Sequence, residues 1–145
     1  MTEVHIDPSR ANFDAFKALP RDRPIQMLNL LRYRELAAYP CDHSYAEKNW
    51  TGREAYAEYG RTSGPIFHRV GGRIVWRGTF ETVVTGPEDM CWNDGFIAEY
   101  PSAAAFFAMI NDEAYRQAVV NRTAALADSR LVRFAPAETG GQFAA

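Results

Sequence analysis

The first periodic segment of the chain is short and amphipathic. Apolar residues recur at helical spacing in residues 8–19, and Pro20 closes the segment. Asp7 precedes Pro8, an order typical of a helix start, with the aspartate as the cap and the proline at the first helical position. The pattern therefore predicts an N-terminal helix over residues 8–19 with one apolar face.

The next segment, Pro24–Tyr33, is a nearly continuous apolar run of strand length. A strand that is apolar at both odd and even positions is covered on both of its faces. We therefore expect helices on one side of this strand and a second layer, such as a partner sheet, on the other.

A capping box marks the start of the second helix. Thr51 is the cap and Glu54 can reach back to it, while Gly71–Gly72 is a typical helix stop. Gly64–Pro65 lies inside the helical pattern and predicts a kink or a break. Residues 34–50, before the helix, are irregular and long for a connection, which is typical of a functional or a mobile loop.

The rest of the chain predicts three more strands and two more helices. Strands are predicted at Arg73–Phe80 (continuing extended to Thr85), Asp94–Tyr100 and Arg130–Phe134, and helices from Ser102 to Ile110 and from Asp112 to Ala127. An N-terminal helix followed by β-α-β-β-α-β predicts an α+β ferredoxin-like sandwich, with a four-stranded antiparallel sheet and its helices on one face. Because the other face would be bare and apolar, we expect a homodimer through the sheet face, giving a dimeric α/β barrel.

Two polar residues occur inside predicted strands. Asn29 has two interpretations: a pocket residue that orients a ligand, or an amide satisfied by its surroundings. Glu99 is either half of a buried ion pair, with Arg122 or Arg77 as the cation, or a general base beside a pocket.

The second helix carries a stripe of hydroxyl groups. Tyr56, Tyr59 and Ser63 share one helical face and should point into the layer between helix and sheet, together with Trp76 if it lies on that face of its strand. Such a stripe can be core, but three hydroxyls are more than a core needs. The candidate ligand-binding residues are therefore Asn29, Tyr56, Tyr59, Ser63, Trp76, Glu99 and Arg122.

Composition narrows the function classes. The 145 residues, 47% hydrophobic and 23% charged, fit one globular domain spanning 1–145, with its core in residues 24–135 and a flexible tail at 138–145. The net charge of -2 gives no basic surface for nucleic acid. No apolar run approaches the roughly 20 residues of a membrane span, and Met1–Arg10 does not resemble a signal peptide, so we expect a cytoplasmic protein with no membrane partner.

Metal and cofactor motifs are weak or missing in the sequence. Cys41 and His43 do not have the paired spacing of structural zinc, and Cys91 and Cys41 are expected to stay reduced. No phosphate-binding glycine loop or nucleophile elbow is found. We therefore expect neither a metal nor a cofactor.

Several short segments together resemble the bacterial family called domain of unknown function 1330. They are Met27–Leu30, Thr51–Tyr56 with Tyr59–Gly60, Gly71–Ile74, Glu99–Ser102, and Asp112–Tyr115 with Arg122. The resemblance extends from about residue 24 to residue 135 and implies a ferredoxin-like fold that dimerises as an α/β barrel, with no established activity. Compared with shorter members of that family, this chain adds the N-terminal helix and a longer loop at 34–50, which could cover a pocket or extend the dimer contact.

Three hypotheses for the function remain open. The first is an enzyme that acts on a small organic molecule without metal or cofactor, and the second is a non-catalytic dimeric module that binds a small molecule or only itself. The third and weakest is a redox or metal role for Cys41, His43 and Cys91. A cavity beside Asn29 and the tyrosine stripe is what the first hypothesis requires.

Overall fold

The computed structural model describes residues 3–143, which form four helices and four strands. In chain order these are α1 Arg10–Ala18, β1 Ile25–Tyr33, α2 Gly52–Arg69, β2 Arg73–Thr79, β3 Asp94–Tyr100, α3 Ala103–Ile110, α4 Glu113–Ala125 and β4 Leu126–Phe134. The predicted order of a helix followed by β-α-β-β-α-β is confirmed, with the second helical stretch divided into α3 and α4.

The four strands form one sheet in the order β2-β3-β1-β4. Every neighbouring pair is antiparallel, and β1 pairs with β3 on one side and with β4 on the other. This is the ferredoxin-like α+β arrangement. It makes β1 a central strand, with both of its edges hydrogen-bonded.

The two faces of β1 differ in burial. Ile25, Met27, Asn29 and Leu31 are buried, whereas the residues between them are only half-buried. The buried side packs against side chains of α2, α3 and α4, and we call it the inner face of the sheet. The opposite side, the outer face, has no helix over it among residues 3–143.

The helix starts follow local capping chemistry. In the predicted capping box, the Glu54 backbone N–H donates to Thr51 Oγ1 over 3.1 Å, and Thr51 N–H donates to Glu54 Oε1 over 3.0 Å. Ser102 caps α3 and Asp112 caps α4 in the same way. The sequence therefore located these three helix starts correctly.

Two helix predictions need correction. α1 begins at Arg10, because Ser9 rather than Asp7 accepts the capping hydrogen bond, and it ends at Ala18. Of the predicted kink or break at Gly64–Pro65, the break is wrong, because Pro65 lies inside a helix that continues to Arg69. Pro65 is on the exposed side of α2, where water can donate to the carbonyl that its missing N–H leaves without a partner.

Two strand predictions also change at their ends. β2 stops at Thr79, and residues 80–93 form neither helix nor strand. α4 ends at Ala125 and β4 follows directly from Leu126, so β4 is longer than the predicted Arg130–Phe134. Residues 135–143 form no helix or strand, whereas residues 1, 2, 144 and 145, which include the end of the predicted tail, lie outside the described residues.

The 34–50 loop is attached to the helical layer. Arg34 N–H donates to the Ala125 carbonyl over 2.8 Å, and Ala38 N–H donates to that of Ala124 over 2.8 Å. The Tyr45 hydroxyl donates to Glu58 on α2 over 2.7 Å. Hydrogen bonds from Arg61 and Tyr45 lower the pKa of Glu58 to about 2, so the carboxylate that holds the loop is ionised at neutral pH.

None of the helices described in residues 3–143 is long and apolar enough to cross a membrane.

The first turn of α2 lies so close to its neighbours that it requires glycine. A Cβ at Gly52 would stand 2.5 Å from the Ala125 carbonyl oxygen and 2.6 Å from the Arg34 nitrogen, and both are backbone atoms that cannot rotate away. We expect Gly52→Ala to lower the free energy of unfolding by about 1–3 kcal/mol, as overpacking does. Urea denaturation measures this change.

Gly60→Ala in the same helix is the matched control. Nothing lies within 4 Å of a Cβ at Gly60, so this change should be neutral or stabilising by up to about 1 kcal/mol. Equal stability of the two variants would contradict the close contact at Gly52.

Candidate functional site

A cavity of about 480 Å³ lies between the inner face of the sheet and helices α2 and α4. This volume is within the range of pockets that hold small organic molecules. Most of its wall is apolar and aromatic. The residues that line it include Met27, Asn29, Tyr56, Tyr59, Ser63, Phe96, Ala98, Tyr100, Phe106, Tyr115, Val119, Arg122 and Leu131.

Asn29 lies on the sheet side of this cavity. It is 7% exposed, and its Nδ2 donates to the Met27 carbonyl over 3.1 Å. Its Oδ1 accepts no hydrogen bond from any residue between 3 and 143. Half of the amide is thus satisfied by the backbone, as the structural interpretation expects, and the other half is available to a molecule in the cavity.

The hydroxyl stripe of α2 faces the cavity as its spacing predicts. Ser63 Oγ donates to the Tyr59 carbonyl over 2.6 Å, and the hydroxyls of Tyr59 and Tyr115 share a hydrogen bond of 2.8 Å. The Tyr56 hydroxyl has no hydrogen-bond partner in the described part of the chain, although its ring packs against Tyr33 and Tyr59. Tyr56 therefore presents an unused donor.

Burial keeps these phenols protonated. It raises the pKa of Tyr56 well above the usual value for tyrosine, and it also raises the pKa of Tyr59, Tyr100 and Tyr115. At neutral pH these groups are hydrogen-bond donors and not bases. They suit a ligand that carries an acceptor, or one on which negative charge develops.

Arg122 enters the cavity wall from the last turn of α4. It is 8% exposed, and its Nη1 donates to the Ile6 carbonyl over 2.7 Å. Its Nη2 contacts Ser129 Oγ at 3.5 Å, the long limit of a hydrogen bond. The predicted partner Glu99 is not near it.

Trp76 and Glu99 do not reach the cavity, which corrects the expectation that they share its layer. A β-bulge between Ile74 and Trp76 puts Ile74 on the inner face and turns Trp76 to the outer face, opposite Ile97. Glu99 follows Ala98 on β3, so it also points to the outer face. There it accepts hydrogen bonds from Gln26 over 2.8 Å and from Arg73 over 2.6 Å.

Those two contacts explain the electrostatics of Glu99. The hydrogen bond from Gln26, with that from Arg73, lowers the pKa of Glu99. The cation is Arg73, the neighbour of Glu99 in the β2–β3 register, and not Arg122 or Arg77. A general-base role beside the cavity therefore has no support.

The N-terminal segment supplies part of the wall that sequence reasoning did not assign. Asp7, Pro8 and Phe13 line the cavity. The segment is held by a hydrogen bond of 2.7 Å from Ser129 Oγ to the His5 carbonyl and by the bond from Arg122 to Ile6. The N-terminal residues thus cover the pocket on one side.

Tyr115 was also missed as a cavity residue. It lies two helical turns before Arg122, and that spacing puts both side chains on one face of α4. The same spacing in the sequence was therefore a usable signal.

A second cavity of about 640 Å³ lies under the N-terminal segment beside β4. It shares Arg122, Leu131 and Phe13 with the first cavity, and it adds Arg130 and Arg133. Arg133 Nη2 donates to the Pro20 carbonyl over 2.7 Å, whereas its buried Nη1 has no partner.

The described residues contain no group of three histidine, cysteine, aspartate or glutamate side chains that could hold a metal ion. Cys41 and Cys91 are exposed, unbridged thiols. His43 stacks on Tyr39 with ring centroids 4.9 Å apart and accepts the Tyr45 N–H at Nδ1. This histidine contributes to the packing of the 34–50 loop.

The fold and the cavity together define a ferredoxin-like α+β protein with a small-molecule-sized pocket between helices and sheet. Residues 45–134, more than half of the chain, match the family described as Domain of unknown function (DUF1330), and the chain belongs to this family. The matched region is shorter than the resemblance from residue 24 to residue 135, and it leaves α1, β1 and most of the 34–50 loop outside.

Among solved structures, two are about half identical to this chain and a third is a distant match. A protein of unknown function from Rhodopseudomonas palustris is 52% identical, with a TM-score of 0.85 over 94% of this chain and 100% of that chain. A methylated form of the same protein is 51% identical, with a TM-score of 0.86 over 95% and 98% of the two chains. A cofactor-independent oxygenase from Streptomyces nogalater is 14% identical, with a TM-score of 0.49 over 81% of this chain and 96% of its own. A search of curated proteins found no match.

Tyr56 and Tyr59 allow a matched test of the cavity wall, since they lie on the same helix but differ in hydrogen bonding. Tyr59→Phe leaves the Tyr115 hydroxyl without its partner and should lower the free energy of unfolding by about 0.5–1.5 kcal/mol. Tyr56→Phe removes a hydroxyl that has no partner and should leave stability unchanged or slightly higher. Urea denaturation distinguishes the two variants, and an equal loss in both would contradict this assignment.

Proposed function

We propose that this protein binds a small, largely apolar organic molecule in the cavity between α2, α4 and the inner face. Any chemistry on that molecule would rely on the protein's own side chains, without metal or cofactor. The observation that carries the proposal is a pocket of about 480 Å³ with unused polar groups in an aromatic wall.

The unused polar groups are the main support. Asn29 Oδ1 and the Tyr56 hydroxyl lack partners among residues 3–143, and both residues line the cavity. Neither atom is among the fully buried side-chain atoms without a partner, so both remain accessible to a molecule inside the cavity. An acceptor on the ligand would satisfy the Tyr56 hydroxyl, and Asn29 Oδ1 can accept from a donor on the ligand or from a bridging water.

An enzymatic role would use these donors to stabilise negative charge. Phenols that stay protonated, together with the guanidinium of Arg122, favour a transition state in which an oxygen atom becomes anionic. The same property favours a second candidate function, a binding module without turnover. The raised pKa values of the phenols leave them unable to accept a proton from a bound molecule at neutral pH.

We further propose that the outer face of the sheet is covered by a second copy of this chain. A row of apolar side chains crosses all four strands in register: Trp76, Ile97, Leu28 and Val132. Trp76 is 49% exposed and Val132 42% exposed in the single chain. Contiguous apolar surface of this kind is typical of an interface, and dimerisation through it would give an α/β barrel.

Binding can be tested with a neutral two-ring probe. We expect 2-naphthamide to bind the wild-type protein in isothermal titration calorimetry. Gly60→Phe, which adds a ring at the cavity wall, should weaken that binding by at least about tenfold, because the ring occupies the probe's space. Ala57→Phe adds the same ring to an exposed position of α2 outside the cavity and should leave the affinity unchanged.

The binding proposal fails if 2-naphthamide does not bind, or if Gly60→Phe and Ala57→Phe bind it equally well.

The dimer can be tested by light scattering at micromolar concentration. The wild type should have twice the 16.3 kDa mass of one chain. Val132→Arg should shift the protein toward the monomer, since it puts a charge into the apolar row. Val84→Arg changes a residue that is 93% exposed and lies outside the sheet, so it should remain dimeric. A monomeric wild type would contradict the proposal.

A further inference from the structure

We propose that the ligand is an aromatic carboxylate of one or two rings, and that Arg122 binds its carboxylate group. This inference rests on the proposed function and names the class of molecule that the same cavity would take.

The first observation is a buried arginine that has no carboxylate partner among the described residues. Arg122 is 8% exposed, and no carboxylate in residues 3–143 lies within ion-pair distance of it. Its two contacts are a backbone carbonyl at 2.7 Å and a hydroxyl at 3.5 Å, and both acceptors are neutral. Burying a charge without a counter-ion is costly, whereas a bound carboxylate would offset that cost through charge-assisted hydrogen bonds.

The second observation is the charge balance of the walls. Arg122 and Arg116 line the first cavity, and Asp7 is the single acid among its described lining residues. The adjoining cavity again has Asp7 as its only described acid, and its lining includes Arg133. Arg133 Nη1 is buried without a partner. The potential in this region therefore favours an anion.

The third observation is the chemistry of the remaining wall. The rings of Tyr56, Tyr59, Phe96 and Phe106 enclose the space next to Arg122. Burial keeps the Tyr56 and Tyr59 phenols protonated, so their hydroxyls can donate hydrogen bonds to a carboxylate on the ligand. Aromatic walls with a guanidinium at one end match a molecule with flat apolar rings and a carboxylate at one end.

Two features of the protein itself could offset the charge of Arg122 in place of a ligand carboxylate: the dipole of α4 and Asp7. Arg122 lies in the last turn of α4, where the negative end of the helix dipole gives partial compensation. Asp7 lies on the cavity wall, but its Oδ1 contacts Thr123 Oγ1 at 3.4 Å and forms no ion pair with Arg122. If Asp7 repels an incoming carboxylate, its removal should help binding. This expectation gives a test that leaves Arg122 in place.

The experiment compares two probes of the same shape in isothermal titration calorimetry at pH 7. 2-Naphthoate carries the carboxylate, and 2-naphthamide is its neutral counterpart. We expect wild-type protein to prefer the naphthoate by about tenfold, the difference between charged and neutral hydrogen bonds. Arg122→Gln should abolish that preference, and Arg122→Lys should keep part of it.

Ser129→Ala is the matched control, because it removes the hydroxyl beside Arg122 and the bond to His5 while it keeps the charge. It should retain the preference for naphthoate. If Ser129→Ala and Arg122→Gln lose this preference equally, the role of Arg122 is merely structural. Asp7→Asn should tighten naphthoate binding alone, and this measurement stands even if Arg122→Gln does not fold.

Equal affinity of both probes for the wild type, or no change with Asp7→Asn, would overturn the assignment of an anionic ligand while the proposed function stands. Failure of both probes to bind would instead overturn the proposed function itself.

Discussion

The rest of the structure depends on how the two apolar faces of the central strand β1 are covered. Ile25, Met27 and Leu31 face the helices, whereas Leu28 and Leu30 face away from them. Because β1 is paired along both edges, none of these side chains can turn to solvent without breaking the sheet. The helices cover the inner face, and the outer face of a single chain stays partly exposed, which is the physical reason for proposing a second copy.

The inner face is not fully packed, and the space left there is the candidate ligand site. Small and polar side chains take positions that a solid core would give to large apolar ones: Asn29 on β1, Ala98 on β3 and Ser63 on α2. The N-terminal segment then closes one side of the resulting space and is itself fastened by Arg122. Arg122 therefore has two roles: it holds the segment that closes the cavity, and it places a positive charge in the cavity wall.

Much of the fold could be predicted from local chemistry, because the caps at Thr51, Ser102 and Asp112 are encoded within a few residues. The stripe of hydroxyls on α2 faces the sheet for the same reason, since helical spacing fixes it. Trp76 could not be placed in this way: strict alternation would put it beside Ile74, and the bulge that turns it outward is a tertiary feature. The lack of an acid beside Arg122 likewise depends on which elements meet, and the sequence offered Glu99 as an equally plausible partner.

The most direct measurement is a crystal structure of the protein grown with 2-naphthoate. It should show the rings between α2 and the inner face, with the carboxylate within hydrogen-bonding distance of the Arg122 guanidinium and a second copy across the outer face. A structure in which Tyr56 and Tyr59 fill the space and the probe is absent or bound elsewhere would contradict the claim that this layer is a ligand site.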